Sequence, residues 1–241
     1  MVSVCMATYN GAAFVKEQIN SILTQLKSED ELIISDDGST DGTLDILSEI
    51  ADDRIRLYHG NFRDVIRNFQ HALSKAEGDH IFLADQDDVW LPGKVAKMID
   101  LLQKYDLVIS DSEVVDEQLQ LLHASFFAYF GSGKGLLKNM ARSTYYGSCM
   151  AFRKSLLEGA LPFPATREIG HDLWIGLVAE MTGTVCFYPE ALIKYRRHGE
   201  TFTSAGTGKS KRGLITKLKG RMIMMKEVIK YYLKYKICKK V

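Results

Sequence analysis

Three acidic residues stand within four positions at Asp85, Asp87 and Asp88, directly after the apolar run 81–84. Carboxylates packed this closely repel one another unless a cation joins them. Mg²⁺ is commonly held in proteins by one or two carboxylates together with substrate phosphates. The alternative is an acidic turn before the helix expected near Pro92, since acids favour a helix N-terminus. One helix start does not need three acids, so the sequence favours a site for a hard divalent cation.

A second acidic segment, Asp36-Asp37-Gly38-Ser39-Thr40-Asp41, follows another apolar run. A turn and a helix cap explain its second half, because Gly permits the bend and Ser, Thr or Asp caps the next helix. They do not explain two adjacent acids at the end of a predicted strand. A carboxylate there can accept a hydrogen bond from a nucleobase N–H or a ribose hydroxyl. A turn and a ligand site therefore both stay open for this segment.

The elements that must position these acids alternate along the first half of the chain. Short apolar runs of strand length are separated by stretches with helical periodicity. The predicted strands are Val2–Ala7, Glu31–Ser35, Ile55–Tyr58, His80–Ala84 and Leu107–Ser110, and the predicted helices are Ala12–Leu26, Thr43–Ile50, Asp64–Ala76 and Pro92–Lys104. The alternation predicts an α/β fold with a mostly parallel central sheet and flanking helices. Ligands bind beyond the carboxyl ends of the strands in such sheets, and the acidic loops fall there.

The second half of the chain has a less regular pattern. Residues 144–152 are typical of a strand, His171–Glu180 of a helix, and Thr184–Arg197 of paired strands broken near Pro189. Gly206–Ser210 has the composition of a linker. We therefore expect this linker to join the α/β body to a separate C-terminal tail.

The composition of the 241 residues excludes several classes of protein. Hydrophobic residues make up 46% and charged residues 25%, which excludes a wholly disordered chain. No apolar run reaches the length of a membrane span, and the N-terminus lacks a signal-peptide pattern. The cysteines Cys5, Cys149, Cys186 and Cys238 lie far apart. This spacing favours a reducing, cytoplasmic compartment over a disulfide or zinc framework.

The tail carries a charge opposite to that of the body. Residues 209–241 hold 12 Lys or Arg and one acid, which leaves 19 basic and 29 acidic residues for the first 208. A helix over 214–235 would place five apolar residues on one stripe: Leu218, Met222, Met225, Ile229 and Tyr232. Three interpretations stay open, namely binding to an anionic membrane surface, packing on the acidic body, and pairing in a homodimer. No recognition motif supports binding to nucleic acid.

Several of these segments together resemble glycosyltransferase family 2. They are Val2-Ser3-Val4-Cys5-Met6-Ala7-Thr8-Tyr9-Asn10, Ile34-Ser35-Asp36-Asp37-Gly38-Ser39-Thr40-Asp41-Gly42-Thr43 and Asp85-Gln86-Asp87-Asp88-Val89-Trp90. The matching order and spacing extend from residue 2 to about 203. The resemblance implies a GT-A fold and an inverting, metal-dependent transfer of a sugar. The third segment is similar to the rhamnosyltransferase-like branch, which builds bacterial surface polysaccharides.

The resemblance also implies a donor site. Tyr9 matches a position that contacts the nucleotide base, and the adjacent Asn10 belongs to the same motif. Asp37 matches the carboxylate that binds the imide of uracil or thymine. Asp85 matches the ribose or sugar contact, and Asp87 matches the metal ligand. The implied cofactor is therefore Mg²⁺ or Mn²⁺.

Two further segments extend the implied donor site. Arg67 and Asn68 follow the third strand in a stretch similar to a donor-binding region. The segment Tyr195-Arg196-Arg197-His198-Gly199 resembles a motif near the end of the family's catalytic domain. There Arg196 or Arg197 is expected to contact the diphosphate, because Arg suits phosphate by bidentate geometry. His198 is expected to complete the metal site.

The segment Glu168-Ile169-Gly170-His171-Asp172-Leu173-Trp174 places Asp172 at the position of the family's catalytic base. An acceptor hydroxyl must lose its proton as it attacks the anomeric carbon, and a positioned carboxylate can take that proton. The alternative is an N-cap or first-turn acid of the following helix, and both roles can hold. His171 and Trp174 are candidates for the acceptor site.

The sequence thus predicts a GT-A-like catalytic domain over 1–205, with a nucleotide-sugar half (about 1–110) and an acceptor half (about 111–205). A basic amphipathic tail follows over 206–241. The expected activity moves a sugar from a UDP-sugar or dTDP-rhamnose type of donor to a glycan or lipid-linked acceptor at the inner face of the cell membrane. The alternatives are a non-catalytic module that binds nucleotide-sugar or glycan, and a sugar-nucleotide pyrophosphorylase. A pyrophosphorylase needs a Gly-rich basic loop after its first strand. The corresponding segment here, Thr8-Tyr9-Asn10-Gly11, has one glycine and no basic residue.

Overall fold

The computed structural model of the protein describes residues 1–198 and 213–238, and its first half alternates strands with helices. The strands are β1 (Val2–Thr8), β2 (Glu31–Asp36), β3 (Ile55–His59), β4 (His80–Asp85) and the short β5 (Val89–Trp90). The helices are α1 (Val15–Leu23), α2 (Thr43–Glu49), α3 (Val65–Leu73) and α4 (Lys94–Leu102). The strands and helices predicted for this half are present, with ends shifted by a few residues.

The second half is less regular, as its sequence indicates. Its strands are β6 (Leu107–Val115), β7 (Leu121–His123), β8 (Met150–Arg153) and β9 (Val185–Arg196). Its helices are α5 (Phe126–Phe130), α6 (Leu136–Ala141), α7 (Lys154–Ala160), α8 (His171–Thr182) and α9 (Leu214–Cys238). The strand predicted over 144–152 was placed too early, because Gly147–Cys149 form one turn of 3₁₀ helix before β8. The predicted linker and the boundary at 205/206 lie outside the described residues.

All the strands of the described residues join one sheet. Their order is β3-β2-β1-β4-β8-β6-β9-β5, with β7 beside β6. The pairs β1–β2, β1–β4, β2–β3 and β6–β9 are parallel, whereas β8 runs antiparallel to both of its neighbours and β5 runs antiparallel to β9. The expected α/β fold is therefore confirmed, and a mixed half follows the parallel half.

The prediction of two strands broken at Pro189 is wrong, because β9 runs through this residue without a turn. Its register against β6 steps from Ser110 opposite Tyr188 to Asp111 opposite Ala191. Two residues of β9 therefore lie in a bulge, and one of them is Pro189. Proline has no amide hydrogen to donate to the ladder, so a bulge is where a strand accommodates it.

The core forms around the parallel strands, which are buried on both faces. In β1 the consecutive residues Val4, Cys5 and Met6 are all fully buried. This explains why the run is continuously apolar rather than alternating. Helix α1 buries one face at Val15, Gln18, Ile19 and Ile22, spaced as an amphipathic helix requires. The sheet and its helices thus hold the polar loops at one edge on a rigid support.

Helix α9 packs on the body through a face that the sequence analysis did not select. Met224 and Val228 are buried, and the Tyr231 ring lies edge-on to Trp174 with centroids 5.5 Å apart. Arg221 donates a hydrogen bond of 2.6 Å to the Ala141 carbonyl. The five residues of the predicted stripe are instead at least 41% exposed, so packing of the stripe on the body is ruled out. Within the described residues, no helix combines the length and the apolar character needed to cross a bilayer.

Candidate active site

The predicted polar loops meet at one edge of the sheet. Thr8 at the end of β1 lies opposite Asp36 at the end of β2, and Ala7 lies opposite Asp85 at the end of β4. The hydroxyl of Thr8 donates a hydrogen bond of 2.8 Å to the Asp36 carboxylate. Because the three strands are parallel, their carboxyl ends coincide and the loops that follow them line one cleft.

At this edge, a side-chain contact joins two residues that are 111 positions apart in the sequence. His198 Nε2 lies 2.8 Å from Asp87 Oδ2. The antiparallel pairing of β5 with β9, with Val89 opposite Lys194, brings the two segments together. Asp87 and His198 were both predicted as metal ligands, and the structure places their side chains side by side.

The acidic loop concentrates negative charge at the same place. Burial raises the pKa of Asp85 to about 7, and the charges of Asp87 and Asp172 add to this shift. Burial also raises the pKa of Asp88 well above its usual value, with smaller contributions from Asp87 and Asp85. Asp172 therefore lies close enough to the end of β4 to act electrostatically on Asp85. The predicted base therefore lies near the predicted donor-site acids, and Asp172 and Leu83 of β4 both lie within 4 Å of a side-chain carbon placed at Gly147.

Asp172 lies in the first turn of α8, where it is half-buried. Its Oδ1 accepts a hydrogen bond of 2.7 Å from the backbone N–H of Leu173. A carboxylate is stabilised at a helix N-terminus, because backbone N–H groups there lack helical partners. The helix therefore fixes the orientation of this side chain and leaves part of it open to the cleft.

The neighbouring His171 is buried and stacks on Phe69, with ring centroids 3.9 Å apart. Neither of its ring nitrogens has a hydrogen-bond partner among the described residues. Burial lowers the pKa of His171, so the imidazole is neutral near pH 7. A side chain added at Gly147 would start 3.1 Å from its Nε2. His171 thus lies beside the base and against the backbone turn that follows α6.

The donor loops are held by hydrogen bonds between neighbouring segments. Gln86 accepts a hydrogen bond from the Tyr9 N–H at 2.8 Å and donates one to the Tyr9 carbonyl at 3.0 Å. The Asn10 side chain accepts one of 2.8 Å from the Thr40 N–H, so it braces the second acidic loop. The Tyr9 ring is 57% exposed and free to meet a flat ligand. A side chain at Gly11 would overlap the Gln86 amide, which explains the glycine there.

Asp37 has a structural role that the sequence does not reveal. Its carboxylate accepts hydrogen bonds from three consecutive backbone N–H groups, those of Phe62 at 2.5 Å, Arg63 at 3.1 Å and Asp64 at 2.9 Å. Asp64 in turn caps α3 and pairs with the guanidinium of Arg167 at 2.7 Å. The loop after β3 is therefore tied both to Asp37 and to the segment that precedes Asp172.

The two residues predicted after the third strand differ in accessibility. Arg67 is exposed on α3. Asn68 is buried, and its amide donates a hydrogen bond of 3.2 Å to the Thr8 carbonyl. Its Oδ1 has no hydrogen-bond partner within the described part of the chain. Arg67 is thus accessible to solvent, whereas Asn68 supports the end of β1.

Two predicted contact residues do not line the cleft. Arg196 is 3% exposed, and its guanidinium donates to the carbonyls of Asp87 and Glu117, at 2.7 Å each, and to the Glu17 carboxylate. It therefore braces the acidic loop from behind instead of facing a diphosphate. Trp174 is 4% exposed, and its indole N–H donates 2.9 Å to the Ala160 carbonyl. It belongs to the core beneath α9 rather than to an acceptor site.

Lys94 is a charged residue that the sequence reasoning missed. It is fully buried and donates a hydrogen bond of 2.6 Å to the Ser148 carbonyl, with its Nζ 4.5 Å from the Trp90 ring centroid. Burial lowers its pKa to about 8, while Asp88 and Asp85 act in the opposite direction. In the sequence, the only indication is that Lys94 lies on the apolar side of the predicted helix Pro92–Lys104.

A divalent cation fits this arrangement, although the described residues hold no cluster of three or more His, Cys, Asp or Glu spaced to bind a metal. Asp87 and His198 supply two adjacent donors, and such ions commonly take their remaining ligands from water and substrate phosphates. Burial, and to a smaller extent the charges of Asp87 and Asp172, raise the pKa of Asp85, and a bound cation would favour its ionised form. The donor set is therefore suited to a metal–diphosphate complex.

Comparison with known proteins identifies the family. The model of the family "Glycosyl transferase family 2" matches residues 3–160, about two thirds of the chain. The chain belongs to glycosyl transferase family 2. It is 27% identical over 213 residues to an uncharacterised glycosyltransferase of Nostoc sp.. The alignment covers 82% of this chain and 65% of that protein. The expected family is confirmed.

Two relatives in this family carry more specific names. The dTDP-rhamnosyl transferase RfbG of Shigella flexneri is 31% identical over 146 residues, covering 57% of this chain and 46% of that protein. The UDP-Glc:alpha-D-GlcNAc-diphosphoundecaprenol beta-1,3-glucosyltransferase WfaP of Escherichia coli is 32% identical over 119 residues, covering 49% and 47%. The chain thus spans two thirds or less of the length of these curated relatives.

Solved structures confirm the expected GT-A fold. TarS of S. aureus in complex with UDP-GlcNAc aligns with a TM-score of 0.68 at 19% identity, over 87% of this chain and 61% of that chain. The mannosyltransferase PcManGT of Pyrobaculum calidifontis, in complex with GDP-Man and Mn²⁺, aligns with a TM-score of 0.62 at 20% identity, over 83% and 58%. At these identities the likeness establishes the fold.

Proposed function

We propose that this protein transfers one sugar from a nucleoside diphosphate-sugar to a hydroxyl acceptor, with inversion at the anomeric carbon. One arrangement carries the proposal: the Asp87–His198 pair lies in the loop after Asp85 at the carboxyl end of the sheet, and Asp172 lies nearby, since Asp172 and Leu83 of β4 both lie within 4 Å of a side-chain carbon placed at Gly147. Two of them suit a cation that binds diphosphate, and one suits proton removal. A donor bound between them would have its leaving group and its anomeric carbon next to complementary chemistry.

Asp172 is the proposed base. It takes the proton of the acceptor hydroxyl as that oxygen attacks the anomeric carbon, and the bond to the diphosphate breaks on the opposite face. The Leu173 N–H holds one carboxylate oxygen, so the side chain is oriented before the acceptor arrives. Such preorganisation lowers the cost of reaching the reactive geometry. A single displacement of this kind inverts the configuration.

Asp87 and His198 are the proposed holders of Mg²⁺ or Mn²⁺. When bound, the cation would act as a Lewis acid that offsets the charge developing on the departing diphosphate. Arg196 supports this pair without touching the ligand, because it bonds the Asp87 carbonyl and so fixes the acidic loop. The mannosyltransferase structure with GDP-Man and Mn²⁺ supports the choice of cofactor by analogy of fold.

The donor nucleoside would occupy the loops after β1, β2 and β3. The exposed Tyr9 ring would stack on the base, and Asp85 would bind the ribose or sugar. Asp37 would meet the uracil or thymine imide while it also holds the loop after β3. Asn10 and Asn68 support these loops from behind, and Arg67 is exposed at their rim. The proposed donors are UDP-sugars and dTDP-rhamnose, in line with the names of the relatives.

The proposed acceptor is a glycan or a lipid-linked sugar of a surface polysaccharide. The name of the glucosyltransferase WfaP includes a diphosphoundecaprenol carrier, which supports a lipid-linked acceptor. His171, which lies next to the base, is the proposed acceptor-site residue. A lipid-linked acceptor would place the enzyme at the inner face of the cell membrane, with the 1–205 catalytic domain in the cytoplasm.

A donor screen tests this proposal. The protein is incubated with UDP-glucose, UDP-GlcNAc, UDP-galactose and dTDP-rhamnose plus Mn²⁺, and nucleoside diphosphate release is measured with and without lipid-linked sugar. Transfer predicts release of UDP or dTDP that depends on metal and acceptor. Pyrophosphorylase activity would instead produce nucleoside triphosphate from added pyrophosphate. Tight donor binding without release by the wild type would indicate a non-catalytic module and contradict the proposal.

A further inference from the structure

Helix α9 exposes an apolar stripe that its contacts with the body leave uncovered. Leu218, Met222, Met225, Ile229 and Leu233 are between 46% and 73% exposed. At 100° per residue they lie within one narrow sector, roughly opposite the sector of Gly220, Met224 and Val228 that packs on the body. Large aliphatic side chains exposed together over several turns indicate a binding surface. We call these five residues the outer stripe.

Cations flank the outer stripe on the solvent side. The exposed Lys219, Lys226 and Lys230 lie along one border of it. Helix α9 contains seven Lys or Arg and a single acid, Glu227, which is paired with Lys230 at 3.8 Å. Lysine stems can lie along apolar surface while their ammonium groups reach outward. The helix therefore combines an apolar centre with a cationic border.

We infer that the outer stripe docks on the surface of a bilayer that contains anionic lipid. An interfacial helix buries its apolar face at the headgroup boundary while its cations contact anionic headgroups. Self-pairing through the same stripe would bring two rows of lysines together, and like charges oppose such an interface. Nucleic acid would satisfy the cations but would leave the aliphatic centre uncovered. Anionic lipid matches both halves of the pattern.

The inference extends the proposed function. It rests on that proposal for one point, namely that the enzyme acts at the inner face of the cell membrane. The opposite face of α9 packs on the half of the body that carries Asp172, through the Tyr231–Trp174 contact and the bond from Arg221 to Ala141. A side chain at Gly220 would start 2.5 Å from the Glu168 carboxylate, so the helix runs directly beside the segment that precedes Asp172. Membrane docking would therefore orient the segment that leads to the base toward a lipid-linked acceptor.

Vesicle co-sedimentation of the full chain tests the inference. The vesicles contain phosphatidylcholine with about 30 mol% phosphatidylglycerol, and pure phosphatidylcholine vesicles are compared. We expect binding to the anionic vesicles that falls with added salt. Met222→Asp with Ile229→Asp should abolish it. Lys226→Gln with Lys230→Gln should weaken partitioning roughly 25-fold, about fivefold for each cation.

Matched controls place the substitutions elsewhere on the surface. Leu137→Asp changes a leucine that is 75% exposed on α6, and Lys27→Gln with Lys104→Gln removes two exposed cations from the body. We expect these variants to bind vesicles as the wild type does, and circular dichroism should show that all variants are folded.

Several results would overturn the inference. They are absence of wild-type binding, equal binding to pure phosphatidylcholine, and binding that survives Met222→Asp with Ile229→Asp. A dimer in sedimentation velocity that this double variant dissociates, without vesicle binding, would identify a self-association surface instead. Nucleoside diphosphate release by the same protein preparations in the donor screen described above separates the two proposals. Vesicle binding without turnover would retain the docking surface and refute the proposed function.

Discussion

His198 Nε2 lies 2.8 Å from Asp87 Oδ2 at the edge of the sheet where three parallel strands end. His198→Ala should therefore weaken Mn²⁺ binding in the presence of UDP. We expect the affinity for Mn²⁺ to fall by at least roughly 10–100-fold, because removing a residue that only hydrogen-bonds a metal ligand already has an effect of this size. Isothermal titration with Mn²⁺ measures it. His123→Ala, an exposed histidine on β7, is the control, and equal metal affinities of the two variants would refute the ligand assignment.

Asp172→Asn tests the base. The asparagine keeps the size of the side chain and can still accept the Leu173 N–H, but it cannot take a proton from an acceptor hydroxyl. We expect kcat to fall by about 10²–10⁴-fold, while the Kd of UDP stays the same. Turnover is followed as nucleoside diphosphate release, and binding by calorimetry. Glu158→Gln, on α7, is a matched control, and turnover of Asp172→Asn at the wild-type rate would end the assignment.

Asp37 should contribute to stability as well as to ligand binding, because it accepts three backbone N–H groups of the loop 62–64. Asp37→Asn replaces one accepting oxygen with a donor, so at least one of these N–H groups loses its partner. We expect the free energy of unfolding to fall by about 1–3 kcal/mol. Urea denaturation measures this change, with Asp53→Asn at an exposed position as the control. Loss of nucleotide binding at full stability would show that these three bonds do not stabilise the fold and would contradict the prediction.

The sequence predicts the parallel half of the site well, because the physics there is local. An apolar strand followed by an amphipathic helix returns the chain to the same edge of the sheet, so Thr8, Asp36 and Asp85 had to lie side by side. The position of the acidic loops at the strand ends can be predicted from the alternation of strand-like and helix-like sequence patterns. This part of the site needs no knowledge of distant contacts.

The remaining contacts depend on packing that no local pattern encodes. Arg196 and His198 are two positions apart, yet one is buried behind the acidic loop and the other faces Asp87. The short pairing of β5 with β9 decides this. The orientation of α9 is similarly hidden, since Met222 and Met224 lie on opposite faces and either could have packed on the body. Burial of Trp174 follows from that choice.

His171 gives the stability of the protein a specific pH dependence. In the unfolded chain this histidine binds a proton below about pH 6.5, whereas burial lowers its pKa in the folded protein. The unfolded state therefore binds more protons as the pH falls through 6.5, and His171 lowers the stability in that range. Removing it should leave a smaller loss of stability on acidification.

His171→Phe tests this directly, because phenylalanine preserves the stack on Phe69 and cannot titrate. The free energy of unfolding is measured by urea denaturation at pH 7.5 and at pH 5.5 for the wild type and the variant. We expect the variant to lose less stability between the two values. His123→Phe, at an exposed position, provides the comparison. Identical losses in wild type and His171→Phe would mean that this imidazole titrates in the folded protein as it does in the unfolded chain.

Arg196→Lys separates a bracing role from a ligand contact. The guanidinium bonds two backbone carbonyls and the Glu17 carboxylate, and it lies 4.7 Å from the Phe14 ring centroid. Lysine keeps the charge but cannot make all these bonds, so we expect a loss of about 2–3 kcal/mol in the free energy of unfolding. Below the unfolding temperature the Kd of UDP without metal should change less than twofold, because Arg196 is 3% exposed. A large increase in this Kd at wild-type stability would restore Arg196 as a diphosphate contact.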